Sequence, residues 1–164
     1  MKTLYIVRHA KSSWKFIDLQ DIDRPLKRKG IQDAFLIAEK LSEQKITPQH
    51  VLSSPAVRAY ETAKIFCNAL SFNKENVEIN SSIYNAAVEE LQTILLNIDN
   101  KLNSVMLFGH DPGLTNFVAY LTKQSYEKIP TSGVVSIQFE VDSWNKISEH
   151  SGKIDFLIYP KMFE

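Results

Sequence analysis

Two short apolar runs, at residues 3–7 (Thr-Leu-Tyr-Ile-Val) and 104–108 (Ser-Val-Met-Leu-Phe), each end abruptly at polar or glycine-containing sequence. The first stops at Arg8-His9 and the second at Gly109-His110-Asp111-Pro112-Gly113. Runs this short and this continuously apolar predict strands buried on both faces. Helix-period patterns follow them. Strands that alternate with helices through the first 120 residues require a mostly parallel sheet covered on both sides. Little else can bury such a pattern.

The remaining elements fit that frame. Ile31, Ala34, Phe35, Ala38 and Leu41 recur at helical spacing and predict a helix over residues 26–41 with that stripe facing inward. Residues 50–52 gain weight as a strand because Ser53-Ser54-Pro55 follows as a helix-start signal. A helix is expected over residues 55–70, a short strand over 77–79, helices over 88–98 and 114–121, and antiparallel neighbouring strands over 134–141 and 154–159. There is no internal repeat, low-complexity segment or linker, so residues 1–164 are expected to form one domain. The fold class expected is α/β, a three-layer sandwich around a mostly parallel central sheet.

Nineteen basic side chains balance nineteen acidic ones, which argues against a dedicated nucleic-acid or membrane-surface binder. No run approaches the roughly 20 apolar residues of a membrane span, and the N-terminus lacks the pattern of a signal peptide, so the cytoplasm is expected. The single cysteine, Cys67, lies in an apolar helical stretch and reads as a small buried hydrophobe.

Ligand crevices in such sheets lie beyond the carboxyl ends of the strands. Three segments deliver unusual polar residues there: Arg8-His9, Ser53-Ser54-Pro55 with Arg58, and Gly109-His110-Asp111. Each alone reads as a surface or turn feature; their convergence points to a site. Two arginines offer forked, permanently charged donors that match phosphate oxygens. Helix N-termini add backbone N–H groups. Phosphoryl transfer needs mainly positioning and charge stabilisation, and a neutral imidazole can serve as the nucleophile. A metal site built from His9, His110 and Asp111 competes on ligand type alone, and Arg8 beside His9 opposes it electrostatically. The expectation is a phosphatase with no metal and no cofactor.

Four motifs in order, Val7-Arg8-His9-Ala10-Lys11-Ser12-Ser13-Trp14, Asp23-Arg24-Pro25-Leu26, Ser53-Ser54-Pro55-Ala56-Val57-Arg58-Ala59 and Gly109-His110-Asp111-Pro112-Gly113, resemble the histidine phosphatase superfamily. Within it the chain looks most like the small SixA-type phosphohistidine phosphatases, over residues 3–160. The resemblance implies a phosphoglycerate mutase-like fold, His9 as the group that becomes phosphorylated, Arg8 and Arg58 as the clamp on the equatorial oxygens, and His110 as a further phosphate ligand. Arg24 matches the Arg-Pro-Leu motif; a phosphate contact and a plain surface position weigh equally for it. Lys11, Ser12, Ser13 and Trp14 are expected to form a loop at the pocket mouth.

One departure carries information. Larger mutase-like relatives place a glutamate general acid in a Leu-x-Glu motif, whereas the corresponding segment here is Ile83-Tyr84-Asn85. Glu89 and Glu90 follow, on what reads as a solvated helix face. A sugar alkoxide needs a proton to leave; an imidazole already protonated on its other nitrogen leaves as the neutral ring. Asp18 and Asp21 are the candidates if an acid is used, with solvated loop charges as the plain alternative. Fewer than thirty residues separate Tyr84 from His110, too few for a helical cap domain. These features favour a phosphorylated protein as substrate, with a small phosphomonoester as the rival. A non-catalytic phosphate-recognition module is the rival from another class, and the retained His9, Arg8, Arg58 and His110 count against it. Thr131, in the segment 129–133, either borders the pocket or belongs to a plain turn.

Overall fold

A computed structural model describes the whole chain, residues 1–164. The apolar runs form strands β1 (Lys2–Arg8), β2 (His50–Ser53), β3 (Glu78–Ile79), β4 (Ser104–Gly109), β5 (Val134–Phe139) and β6 (Gly152–Ile158). They make one sheet in the order β3-β2-β4-β1-β5-β6. β1 and β2 run parallel to β4 on either side of it, and β3 runs parallel to β2. β5 and β6 are added antiparallel at the other edge, with β5 against β1. The sheet is mostly parallel, as the alternation required.

Successive strand residues point to opposite faces, and this divides the core in two. Leu4, Ile6, Leu52, Val105 and Leu107 face α3 (Val88–Leu96) and α4 (Gly113–Leu121), packing with Leu91, Leu95, Phe117 and Val118. Val7, Val51, Met106 and Phe108 face α1 (Arg28–Glu43) and α2 (Val57–Ala69), packing with Ala34, Ile37, Leu41 and Phe66. Each fully buried Leu, Ile or Phe contributes about 1.5–3 kcal/mol, so both faces hold the sheet strongly. The result is a three-layer sandwich. Between β3 and β4 the one α-helix is α3, and there is no cap domain.

The inward stripe of α1 differs from the sequence expectation. Gly30, Ala34, Ile37, Ala38 and Leu41 are buried, whereas Ile31 and Phe35 stay 40% and 53% exposed. The reason lies at Gly30, the point where the helix meets the loop after β1. A Cβ there would sit 2.2 Å from the Lys11 carbonyl oxygen. Only glycine permits this approach, and it sets the rotation of the helix. The same contact ties the loop down: Lys27 N–H donates to Lys11 O at 3.1 Å, and Ser13 N–H donates to Pro25 O at 2.8 Å.

Cys67 is buried, and burial pushes its thiol up to about 11, so it is an inert core residue. No helix is long and apolar enough to cross a membrane.

Candidate active site

The sheet register gathers the polar strand ends. Arg8 lies opposite Gly109, and Ser53 lies opposite Phe108. His9 N–H continues the ladder to Gly109 O at 3.1 Å, and Ser54 N–H continues it to Phe108 O at 3.0 Å. The His9 and His110 rings come within 5.2 Å, tilted by 53°. Arg58 reaches the same place from the first turn of α2 and is 5% exposed.

His9 is oriented by its neighbour. Its Nδ1 lies 2.7 Å from the Ala10 carbonyl oxygen. A carbonyl can only accept, so the proton of the neutral ring sits on Nδ1 and the lone pair on Nε2. Ala10 is held in turn, its N–H donating to Thr62 Oγ1 at 3.0 Å while the Thr62 hydroxyl donates to Arg58 O at 2.7 Å. Burial lowers the His9 pKa to about 4, and Arg58, Arg8 and Arg24 push it the same way against the Ala10 bond. The ring is therefore neutral near pH 7 and carries an available nucleophilic lone pair.

His110 is set by Ser54. Its Nε2 lies 2.7 Å from Ser54 Oγ, which also accepts the Ala56 N–H at 3.1 Å. With the serine hydroxyl donating to His110 Nε2, the imidazole proton sits on Nδ1, the ring nitrogen that has no protein partner. Burial, then the neighbouring His9 and Arg58, lower the His110 pKa to about 3. His110 Nδ1, Arg8 Nε and Arg58 Nε are buried and have no protein partner. Three unpartnered nitrogens around one nucleophilic ring suit an anion with several oxygens.

Both terminal nitrogens of Arg58 are committed to Asp21, Nη1 to its carbonyl and Nη2 to its carboxylate, and one terminal nitrogen of Arg8 is committed as well. Arg8 Nη1 donates to Ile129 O at 2.8 Å, and the Ile129 N–H donates to Asp111 Oδ2 at 3.2 Å and Thr115 Oγ1 at 2.9 Å. Asp111 also caps α4, accepting from Thr115 N–H and from the Thr115 hydroxyl. Its carboxylate is a strut for the Arg8 wall. No group of three His, Cys, Asp or Glu side chains is arranged to hold a metal ion. Ser132 N–H donates to the carbonyls of both Arg8 and His9, at 3.1 and 3.2 Å, so the segment with Thr131 borders the site rather than forming a detached turn.

Arg24 is not a surface residue; it is 7% exposed. Its Nη1 donates to Ser12 Oγ at 2.8 Å and Ser13 O at 3.2 Å, and its guanidinium stacks 3.5 Å from the centre of the Trp14 ring. It braces the loop at the pocket mouth, where Lys11 is exposed.

Asp21 corrects a sequence expectation. Its Oδ1 accepts from Arg24 Nε at 3.1 Å, and its Oδ2 accepts from Arg58 Nη2 at 3.0 Å and from the Tyr84 hydroxyl at 2.6 Å. The Tyr84 hydroxyl first, then the two guanidiniums, hold the carboxyl well below the usual carboxylate range. An acid that cannot keep its proton near neutral pH is no general acid. Asp18 is simply exposed. Glu89 is exposed too, and Glu90 Oε2 accepts the Ala87 N–H at the start of α3.

Sequence reasoning named Ser54 and Tyr84 only within their motifs, with no role of their own, and it missed Thr62. Ser54 Oγ accepts the Ala56 N–H just before α2, and its second partner is 56 residues away. Tyr84 stands edge-on to His110 with ring centres 5.5 Å apart. The spacing of Thr62 four residues after Arg58 is the one local signal that was available.

The sequence pattern of the histidine phosphatase superfamily (branch 1) matches residues 4–83. An uncharacterized chloroplastic protein of Arabidopsis thaliana is 33% identical over 171 aligned residues, which cover 97% of this chain and 78% of that protein. The solved structure of the protein histidine phosphatase SixA complexed with tungstate superposes with a TM-score of 0.85 at 24% identity, covering 99% of both chains. A mycobacterial glucosyl-3-phosphoglycerate phosphatase complexed with VO3 superposes at 0.72 and 14% identity, covering 95% of this chain and 98% of that one. Identities this low speak to fold, and the pattern match together with the full-length relative speaks to kinship. The chain belongs to the histidine phosphatase superfamily and has the fold of its SixA-type members.

Proposed function

We propose that the chain is a phosphohistidine phosphatase, which removes phosphate from histidine on a partner protein through a covalent phosphohistidine at His9. The observation that carries the reading is the His9 tautomer: Nδ1–H is held by Ala10 O, beside the buried, unpartnered Arg8 Nε, Arg58 Nε and His110 Nδ1. In the first step the Nε2 lone pair forms a bond to phosphorus while the P–N bond to the substrate ring breaks, its electron pair returning to that ring. Arg8, Arg58 and His110 donate to the phosphoryl oxygens as charge redistributes. The Nδ1 proton stays in place, so phosphorylated His9 is an imidazolium. In the second step water attacks phosphorus, the electron pair returns to Nε2, and hydrogen phosphate and a proton are released. No step calls for a metal or cofactor. Arg24 keeps the loop in place, and a direct phosphate contact is not needed for that role.

A protein substrate is supported by what surrounds the pocket. No cap domain encloses it, and Trp14, Phe16 and Ile17 on the adjoining loop are 75%, 50% and 90% exposed. Clustered exposed apolar side chains suit contact with another protein. SixA, which shares the fold, is named a protein histidine phosphatase. The fold relative named for glucosyl-3-phosphoglycerate keeps a small phosphomonoester as the second reading.

The test is acid-quenched trapping with a radiolabelled phosphohistidine carrier protein, beside turnover on a panel of phosphomonoesters, with and without chelator. Label is expected on His9, lost together with turnover in His9→Ala, and chelator is expected to have no effect. Full turnover by His9→Ala would refute the mechanism. Higher kcat/KM on a small ester would replace the substrate.

A further inference from the structure

We propose that Asp21 is a specificity-determining residue that accepts a hydrogen bond from the far N–H of the substrate's imidazolium and so selects leaving groups that already carry a proton. The inference rests on the phosphohistidine reading and deepens it.

Transfer between two imidazoles is close to symmetric. On the enzyme's side, the nitrogen remote from phosphorus keeps its proton because Ala10 O accepts from it at 2.7 Å. The departing ring needs the same arrangement, a proton on its remote nitrogen and an acceptor to hold it there. A charged acceptor does this best, because it favours the cationic ring over the neutral one. Asp21 is the ionised carboxylate bonded directly to the phosphate clamp, through Arg58 Nη2. It stands on the solvent side of that clamp: its side chain is 46% exposed against 6% for Arg58. That is the side from which a histidine on another protein arrives.

The carboxylate also has capacity to spare. Two oxygens offer about four acceptor positions, and Arg24, Arg58 and Tyr84 occupy three. Oδ1 has the single protein partner Arg24 Nε. The carboxylate's side-chain partners are two guanidiniums and the Tyr84 hydroxyl. The Tyr84 hydroxyl is spent on Asp21, and that bond raises its pKa. This rim therefore carries an ionised acceptor and no acid. An alkoxide leaving group gains no proton there, whereas an imidazolium donates its N–H to the carboxylate.

The step balances without an added proton. The substrate ring enters as an imidazolium with phosphorus on one nitrogen and hydrogen on the other. His9 Nε2 bonds to phosphorus, the P–N electron pair returns to the substrate ring, and the ring leaves as neutral imidazole with its N–H still donated to Asp21.

The experiment compares kcat/KM for a phosphohistidine carrier protein with kcat/KM for p-nitrophenyl phosphate, whose leaving group needs no proton and presents no N–H. The ratio of the two is measured in the wild-type protein and in Asp21→Asn. We expect the ratio to fall at least tenfold in the variant. The alkaline limb of the phosphohistidine profile, where the substrate imidazolium deprotonates, is expected to move to lower pH. The inhibition constant of inorganic phosphate and a thermal melt report whether the clamp and fold survive. An unchanged ratio, with both rates falling together, would make Asp21 a loop anchor and overturn the inference. Both rates rising together would make it a mere cover over Arg58, with the same consequence. A wild-type protein that turns over the ester but not phosphohistidine would overturn the substrate reading itself, and this inference with it.

Discussion

Replacing Ser54 with alanine removes one oxygen that serves two partners. Ser54 is fully buried, and its Oγ accepts the Ala56 N–H at 3.1 Å while orienting His110 Nε2 at 2.7 Å. Each buried polar group left without a partner costs about 1–3 kcal/mol, so with two such groups the variant should be less stable by roughly 2–6 kcal/mol. For a chain of this size that lowers Tm by roughly 4–24 °C. The catalytic effect is separable. Without the serine hydroxyl, nothing holds the His110 proton on Nδ1, and the alternative tautomer turns a lone pair toward the phosphoryl oxygens. Losing one preorganised donor outright costs about 100-fold or more in kcat, and the bound phosphoryl group itself pulls the ring back toward the productive tautomer. The expected loss is therefore about 10-fold to 100-fold in the rate of phosphoenzyme formation. Rapid quench at a temperature well below the variant's Tm measures that rate, and nitrogen NMR of the His110 ring reads the tautomer directly. A variant that melts lower but phosphorylates at the wild-type rate, with His110 still protonated on Nδ1, would refute the assignment.

Acid should destabilise the protein before it protonates the carboxylates. His9 and His110 titrate near 4 and 3 in the folded chain and near 6.5 unfolded, so between these values the unfolded chain binds more protons. Their contribution is fully present above about pH 6.5 and is lost as pH falls through the folded values; at pH 5 each ring should cost about 2 kcal/mol. Denaturant titrations at pH 7 and pH 5 in phosphate-free buffer check this, and equal stabilities would contradict it. At Gly30, alanine should destabilise despite its better helix propensity. The propensity gain is about 1 kcal/mol, whereas a Cβ placed 2.2 Å from Lys11 O forces the backbone apart. A raised Tm for Gly30→Ala would show that the loop yields freely.

Much of the fold was legible because periodicity reports burial. Leu4–Val7 of β1 and Val105–Phe108 of β4 are continuously apolar, as strands covered on both faces are, and the two strands lie side by side at the centre of the sheet. The inward stripe of α1 was not legible, because a long-range contact at Gly30 rather than hydropathy decides it, leaving Phe35 outside. The same division runs through the site. His9, Arg8, Arg58 and His110 stand at strand ends or in a helix's first turn, where local sequence marks the position. Asp21, Ser54 and Tyr84 acquire their roles from partners 37, 56 and 63 residues away, and their local context suggests a loop charge, a cap and an aromatic. Asp21 shows the limit most clearly. Its identity admits both an acid and a fixed anion, and the two guanidiniums with Tyr84 decide between them.

The strand order has a consequence for how the protein opens. β1 and β4 are the two middle strands, each bonded on both sides, while the two-residue β3 forms one edge and β6 the other. Amides in the middle of a sheet exchange with solvent only in large cooperative openings, whereas edges fray at little cost. The loop that carries Asp21 and Trp14 is closed at its base by a few hydrogen bonds between residues 11–13 and 25–27 and is pinned farther out by Asp21 to Arg58 and Tyr84. Deuterium uptake should accordingly separate the site into a floor that exchanges last and a rim that exchanges early. The nucleophile would thus be kept in place through many openings of the segment that admits its substrate.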